Sequence, residues 1–199
     1  MARAHPSSLR VIGGRLRGRS LAVPPGIRPT SGRVREALAA VWQHRFEGTA
    51  VLDLFAGSGA FGIEAVSRGA RRALCLEASP RSLAVLKGNL SKLDLAETIE
   101  ARRADLPRDL LRLAQREGGS FELVFADPPY DFADYEILLE NAAPLLADEG
   151  ELALEHSSRT RLPERTAALE RQGEPRIYGE SAITIYQLST AASPRTSSC

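Results

Sequence analysis

The chain has few of the residues that crosslink a protein or anchor it in a membrane. Only two of its 199 residues are cysteine: Cys75 lies inside an apolar stretch, and Cys199 is the last residue. Neither suggests a disulfide framework, and no Cys/His spacing indicates zinc. No apolar run reaches the ~18 residues that a membrane span needs, and the first residues lack a signal-peptide core. We therefore expect a metal-free protein of a reducing cytoplasm, with Cys75 acting as a small buried apolar residue.

Acidic residues are absent from the first 35 positions. This segment carries eight arginines, and because the whole chain has a net charge of +1, the remainder carries −7. A near-neutral protein with a basic arm is typical of one that contacts a polyanion with one face. The alternative is a solvated surface in a protein that prefers arginine, since only two of its 26 basic residues are lysine.

Apolar strands alternate with helical patterns along most of the chain. Residues 9–23 predict two short strands around a glycine-rich turn. A helix is expected from Ser31, with Arg33 and Arg35 off its apolar face and with that face formed by Val34, Leu38, Val41 and Trp42. The further strands are expected at 50–55, 72–77, 98–102, 121–126 and 151–155. The further helices are expected up to about 68 and at 79–93, 107–116 and 133–146, and Ser79-Pro80 is expected to cap the second of them. Residues 175–179 and 182–188 predict a closing β-hairpin.

This alternation predicts an α/β fold with a mostly parallel sheet and helices on both faces. We expect three parts: a basic arm at 1–30, one α/β domain at 31–190, and a Ser/Thr-rich flexible tail at 191–199. In such folds ligands bind beyond the carboxyl ends of the strands, so the chemistry is expected there.

The first expected strand of the α/β domain ends in a glycine-rich loop. Residues 53–62 contain the pattern G-x-G-x-x-G, which brings backbone N–H groups close to an anion at a helix start. A dinucleotide pyrophosphate and the carboxylate of S-adenosylmethionine both satisfy this requirement. Asp53 favours the second, because a carboxylate repels a pyrophosphate but suits an α-ammonium group. The arrangement of Asp53, Phe55, Gly57 and Gly59 resembles the motif of class I methyltransferases.

Acidic residues also follow the next two strands. Glu77 ends the second strand, where a carboxylate accepts hydrogen bonds from ribose hydroxyls in either cofactor class. Asp105 follows the third strand and is a candidate for binding the adenine amino group. The sequence Asp105-Leu106-Pro107 is also compatible with a helix cap.

The fourth strand end, Asp127-Pro128-Pro129-Tyr130, is the most specific pattern in the chain. Two prolines fix the backbone and remove two N–H donors, which leaves the Asp127 carboxylate and the Pro128 carbonyl as acceptors. An exocyclic amine on a base presents two hydrogens that such acceptors can orient. Tyr130 supplies a face on which a base can stack. The four residues resemble the Asp/Asn-Pro-Pro-Tyr/Phe motif of amino-methyltransferases.

The resemblance extends to a family. The stretch Arg10–Arg19, the segment Arg28–Ser31 and the helix start Arg33–Leu38 are similar to the opening of the RsmD family, and the likeness runs in order over residues 9–188. It implies the Rossmann-like class I methyltransferase fold, with a central seven-stranded, mostly parallel sheet, a closing antiparallel hairpin and a small N-terminal β-hairpin arm. It also implies methylation of N2 of one guanine in 16S ribosomal RNA, within the small subunit or an assembly intermediate. The expected protein is a cytoplasmic monomer that takes part in ribosome biogenesis.

The resemblance assigns roles to particular residues. The cofactor S-adenosylmethionine is expected to be bound by Asp53, Phe55, Gly57, Ser58, Gly59, Glu77 and Asp105. The target base is expected to be held by Asp127, Pro128, Pro129 and Tyr130. RNA is expected to contact Arg10, Arg15, Arg17, Arg19 and Arg28. Transfer is expected to be direct, without a metal or a covalent intermediate.

Four alternatives share part of this pattern. A DNA adenine or cytosine amino-methyltransferase has both motifs but usually carries a separate target-recognition region. A glutamine side-chain methyltransferase uses a similar Pro-Pro-Tyr loop, more often led by Asn. A nicotinamide oxidoreductase explains the glycine loop and Glu77 but not Asp127–Tyr130. A non-catalytic RNA-binding module explains only the arm.

Overall fold

The computed structural model describes residues 9–25 and 32–189. The chain divides into two compact units, Met1–Asp105 and Leu106–Cys199. The predicted tail at 191–199 and Arg28 lie outside the described residues. Within the described parts, no helix is both long and apolar enough to cross a membrane.

The first unit begins with the expected hairpin. Strands β1 (Leu9–Arg10) and β2 (Ser20–Leu21) pair antiparallel, and a 3-10 turn at Gly14–Leu16 lies between them. Val11 N–H donates to the Arg19 carbonyl at 3.0 Å, and Gly18 N–H donates to the Val11 carbonyl at 2.9 Å. The strands are only two residues long, so the hairpin alone is too small to be stable in water.

Helix α1 (Gly32–Val41) follows the arm and packs its apolar face inward. Val34, Leu38 and Trp42 are fully buried, as the helical spacing predicted. The prediction that Arg35 lies off this face is wrong, because Arg35 is only 3% exposed. Burial lowers the pKa of Arg35, and the negative charges of Glu64 and Glu36 oppose that shift. A carboxylate from a later helix therefore compensates the buried cation.

Three parallel strands form the sheet of the first unit. They are β3 (Ala50–Leu54), β4 (Arg72–Glu77) and β5 (Ile99–Arg103), with β4 between the other two. Helix α2 (Ala60–Ser67) connects β3 to β4, and α3 (Pro80–Lys92) connects β4 to β5. Ser79 caps α3 by accepting the Ser82 N–H at 3.3 Å, as the Ser-Pro pattern predicted. The parallel register brings the carboxyl ends of all three strands to one edge.

Side chains of α2 satisfy the backbone of the arm. The buried Glu64 carboxylate accepts the N–H groups of Ile12 and Gly13, each at 2.7 Å. The Ser67 hydroxyl accepts the Leu16 N–H at 2.9 Å and donates to the Gly13 carbonyl at 2.6 Å. Glu64 also bonds Arg68 one turn further along the helix, at 2.7 Å. The arm is thus held on α2 by side chains that belong to the α/β fold.

The second unit combines a parallel strand pair with antiparallel strands. Helix α4 (Leu110–Glu117) leads into β6 (Phe121–Ala126), and α5 (Tyr135–Ala142) leads into β7 (Leu146–Ser157). Strands β6 and β7 are parallel, with Ala126 opposite Leu154 at their carboxyl ends. Three strands complete the unit: β8 (Leu169–Arg171), β9 (Arg176–Tyr178) and β10 (Ser181–Leu188). Strand β10 pairs antiparallel with β7, β8 and β9.

The boundaries differ from the sequence prediction mainly in this second unit. Helix α4 begins at Leu110 rather than Pro107, and α5 ends at Ala142 because a 3-10 turn containing Pro144 follows. The closing hairpin of β9 and β10 is present as expected. Strand β8 was not predicted, since three residues carry too little alternation to be recognised.

Candidate active site

The glycine loop turns sharply after β3. Three residues of the loop have the left-handed backbone conformation: Phe55 with φ 64°, Gly57 with φ 55° and Gly59 with φ 78°. The two glycines adopt it without strain. A Cβ at Gly59 would lie 2.9 Å from Leu86 Cγ, whereas a Cβ at Gly57 would meet nothing within 4 Å. The backbone at Gly57 therefore faces open space, as the approach of a ligand requires.

Glu77 holds this loop in place from the end of the neighbouring strand. Its carboxylate accepts the Gly57 N–H at 2.8 Å through one oxygen and the Ser79 N–H at 2.8 Å through the other. The carboxylate predicted to bind ribose therefore also fixes the turn and the start of α3. It is partly exposed, so it remains accessible to a ligand.

Asp53 lies deeper than the sequence suggested. Its side chain is buried and accepts the Gly62 N–H of α2 at 3.1 Å. Burial raises the pKa of the Cys75 thiol well above its usual range, and the charge of Asp53 and their hydrogen bond add to the shift. Cys75 is fully buried, which confirms the prediction that it acts as a small apolar residue. Asp53 thus fixes helix α2 against the strand that carries the loop.

The remaining predicted cofactor residues also lie beyond the strand ends. Ser58 is buried, and its carbonyl accepts the Asn89 amide at 2.9 Å. Asn89 additionally donates to the Ala22 carbonyl at 3.0 Å and accepts the Ala22 N–H at 2.8 Å. Asp105 is exposed, directly after β5 and Ala104. Because α4 starts only at Leu110, Asp105 is not a helix cap.

In the second unit, residues 127–130 leave β6 as an exposed turn. Pro128 is buried and Pro129 is exposed, and the Pro129 carbonyl accepts the Phe132 N–H at 2.9 Å. The side chain of Tyr130 is 89% exposed. A tyrosine so exposed at a strand end contributes little to packing and is free to stack on a planar ligand.

Two residues near Asp127 were missed by the sequence analysis. Glu155, two residues before the end of β7, follows Leu154 just as Asp127 follows Ala126 on the neighbouring parallel strand. Burial, the charge of Asp127 and a side-chain hydrogen bond with Asp127 together raise the pKa of Glu155 to about 8, although a hydrogen bond with Ser181 opposes the shift. Burial and the charge of Asp127 also raise the pKa of Tyr135 on α5. The sequence analysis selected acidic residues at the carboxyl ends of apolar strands, namely Asp53, Glu77 and Asp127. The same criterion would have selected Glu155.

The predicted RNA-contacting arginines lie on the arm. Arg10, Arg15, Arg17 and Arg19 are all exposed. In the described ranges none of them forms an ion pair with a carboxylate; Arg10 donates to the Gly18 carbonyl at 2.9 Å. The hairpin therefore presents a cationic surface.

Comparison with known proteins agrees with this picture. The family model described as conserved hypothetical protein 95 matches residues 9–187. The ribosomal RNA small subunit methyltransferase D of Escherichia coli is 35% identical, over 90% of this chain and 89% of its own length. The candidate rRNA methyltransferase YlbH of Bacillus subtilis is also 35% identical, over 90% and 98% respectively.

A solved structure extends the likeness to the fold. The candidate methyltransferase yhhF of Escherichia coli is 32% identical and superposes with a TM-score of 0.76, covering 91% of this chain and 98% of its own. The chain therefore has the Rossmann-like fold of class I methyltransferases, as the sequence predicted.

Proposed function

Since the chain belongs to the conserved hypothetical protein 95 family, we propose that it is a methyltransferase of small-subunit ribosomal RNA that uses S-adenosylmethionine and modifies N2 of a guanine. The observation that carries the proposal is the turn Asp127-Pro128-Pro129-Tyr130, with its acceptor-only backbone and exposed ring. The similarity to the rRNA small subunit methyltransferase D supports the RNA substrate.

The residues proposed to bind the cofactor all belong to the first unit. The backbone at Gly57 faces open space just before the start of α2, which leaves room for the methionine end of the cofactor. Glu77 would bond the ribose hydroxyls, Asp105 the adenine amino group, and Phe55 and Ser58 would complete the loop. Asp53 would attract the α-ammonium group through its charge while it anchors α2. When bound, the cofactor supplies a methyl group on a positively charged sulfur.

The residues proposed to hold the methyl acceptor all belong to the second unit. The carboxylate of Asp127 and the carbonyl of Pro128 would accept the two hydrogens of the exocyclic amine, and Tyr130 would stack on the base. These bonds orient the nitrogen lone pair for in-line attack, which needs the reacting atoms about 3 Å apart. Asp127 is also the group that would receive the proton the nitrogen loses. The base must be unpaired or flipped out of its stack to reach such a turn.

The proposal is tested by following the methyl group. The protein, incubated with labelled S-adenosylmethionine and small ribosomal subunits at different assembly stages, should place the label on a guanine of 16S RNA. Calorimetry should show S-adenosylhomocysteine binding and NAD not binding. Label on DNA would identify a DNA amino-methyltransferase, and binding of NAD alone would contradict the cofactor assignment. We propose that the protein acts in the cytoplasm and as a monomer.

The basic arm predicts a steep salt dependence of RNA binding. Each arginine that neutralises a phosphate contributes roughly 0.7–0.9 to the slope of log K against log salt. Changing Arg15, Arg17 and Arg19 to alanine should flatten the slope by about two and raise the apparent KM for RNA. Filter binding from low to high salt measures the slope.

A charge-matched variant controls for the change in net charge. Arg112, Arg116 and Arg176 are exposed in the second unit, and their triple alanine variant should retain the parental slope. An arm variant with an unchanged slope would mean that the arm is a solvated surface without phosphate contacts.

A further inference from the structure

Glu155 is a buried carboxyl group that the proposed chemistry has not used. It ends the apolar run Leu152–Leu154 of β7 and is 9% exposed. On the adjacent strand β10, Ile183 lies opposite Glu155. One of its oxygens, Oε2, is fully buried and has no hydrogen-bond donor among the described residues. A buried carboxylate oxygen without a donor is costly, so this oxygen is best explained as carrying a proton.

Burial and the neighbouring Asp127 carboxylate explain why Glu155 holds that proton, and they outweigh the opposing hydrogen bond with Ser181. Asp127 lies beyond the end of β6, Ser181 begins β10, and Tyr135 lies on α5 near Asp127. Within the described part of the chain, no lysine, arginine or histidine bonds Glu155. The adjacent His156 is engaged elsewhere, with Thr184 at 2.8 Å and the Ser157 carbonyl at 2.9 Å. A buried carboxyl group beside a second carboxylate favours its neutral form, because two like charges close together repel each other.

We propose that Glu155 is a positioning residue for the methyl acceptor: its carboxylic acid donates a hydrogen bond to Asp127 and fixes the direction of that carboxylate. This inference rests on the proposed function, because Asp127 is the group that would accept the amine. A carboxylate has about four lone-pair sites, so one bond from Glu155 leaves others for the base. Glu155 keeps its own proton throughout and transfers nothing.

The pH dependence follows from the direction of the shift. The pKa of Glu155 is raised to about 8, so the acid is neutral and donates below that pH. Above it, the second negative charge repels Asp127 and the hydrogen bond is lost. We therefore expect kcat of the parental protein to decline as the pH rises through about 8.

Two substitutions separate this role from simple packing. In Glu155→Gln the amide still donates to Asp127 but does not titrate. Its kcat near neutral pH should therefore stay within about threefold of the parental value, a smaller decrease than the loss of one hydrogen bond to a charged group would cause. The decline above pH 8 should disappear. Glu155→Ala removes the donor and should lower kcat about tenfold or more, with KM for the cofactor unchanged. Single-turnover rates from pH 6 to 10 measure both.

A titration of the protein alone makes the test independent of RNA methylation. Carbon-13 NMR of the Glu155 carboxyl, assigned by its loss in Glu155→Gln, should show a midpoint far above the usual ~4.3 of glutamate. A midpoint near that usual value would overturn the inference. So would an alkaline decline retained in Glu155→Gln, or parental kcat in Glu155→Ala. If no methyl reaches RNA but the midpoint is high, the carboxyl pair stands and the proposed function fails.

Discussion

Changing Asp127 to alanine is expected to lower kcat by a factor of about 100 or more, as the loss of one well-placed polar group from a transition state does. The variant removes the carboxylate that orients the amine and receives its proton. It leaves intact the glycine loop and the hydrogen bonds that Gly57 and Ser79 donate to Glu77. The cofactor Kd should therefore change little. Single-turnover methyl transfer and calorimetry measure the two quantities separately.

Two further variants sharpen this experiment. Asp127→Asn keeps one acceptor oxygen and should lose less activity than Asp127→Ala. Asp148→Ala removes an exposed carboxylate near the start of β7 and should retain parental turnover. Near-normal kcat in Asp127→Ala would show that the residue serves only the turn.

Changing Glu64 to alanine is expected to lower the free energy of unfolding by about 3–5 kcal/mol, as breaking a buried ion pair does. Glu64 is 1% exposed and accepts three hydrogen bonds, from Ile12, Gly13 and Arg68. Without it, two arm amides lose their partners and the buried Arg35 loses its main opposing charge. Urea unfolding measures the change, and hydrogen exchange at Ile12 and Gly13 reports whether the arm separates.

An exposed glutamate provides the matched control. Glu97 lies at the surface of the same unit, and Glu97→Ala should change stability by less than about 0.5 kcal/mol. Glu64→Gln retains one acceptor and should recover part of the loss. A Glu64→Ala variant as stable as Glu97→Ala would contradict the proposed anchoring role.

The sequence predicted the limits of strands and helices well where apolar runs end at charged residues or prolines. Strands β4 and β6 have the predicted limits, because Arg72 and Glu77 bound one and the Asp127-Pro128 step ends the other. Helix α3 starts where Ser79 and Pro80 predicted. The burial of Arg35 could not be predicted, since it depends on the charge of Glu64, which is distant in sequence. A local pattern gives no sign of such a partner.

The candidate site was predicted in its residue types but not in its internal bonds. Glu77 lies at the carboxyl end of β4, and Asp127 and Tyr130 follow the carboxyl end of β6, as expected. Glu77 also fixes the turn at Gly57. This bond depends on the register of β3 and β4 and on the direction of the Gly57 N–H group, neither of which can be read from the sequence. The roles of these residues toward cofactor and RNA remain predictions.

The anchoring of the arm sets an order in which the protein can fold. The backbone groups of Ile12, Gly13, Leu16 and Ala22 pair with Glu64, Ser67 and Asn89, which lie 51 to 67 residues further along the chain. During synthesis the arm is made first, at 5–20 residues per second, and must wait several seconds for these partners. Its own two-residue strands cannot hold it meanwhile. The most basic segment of the protein therefore leaves the ribosome before its partners, and it cannot be anchored until helices α2 and α3 have been made.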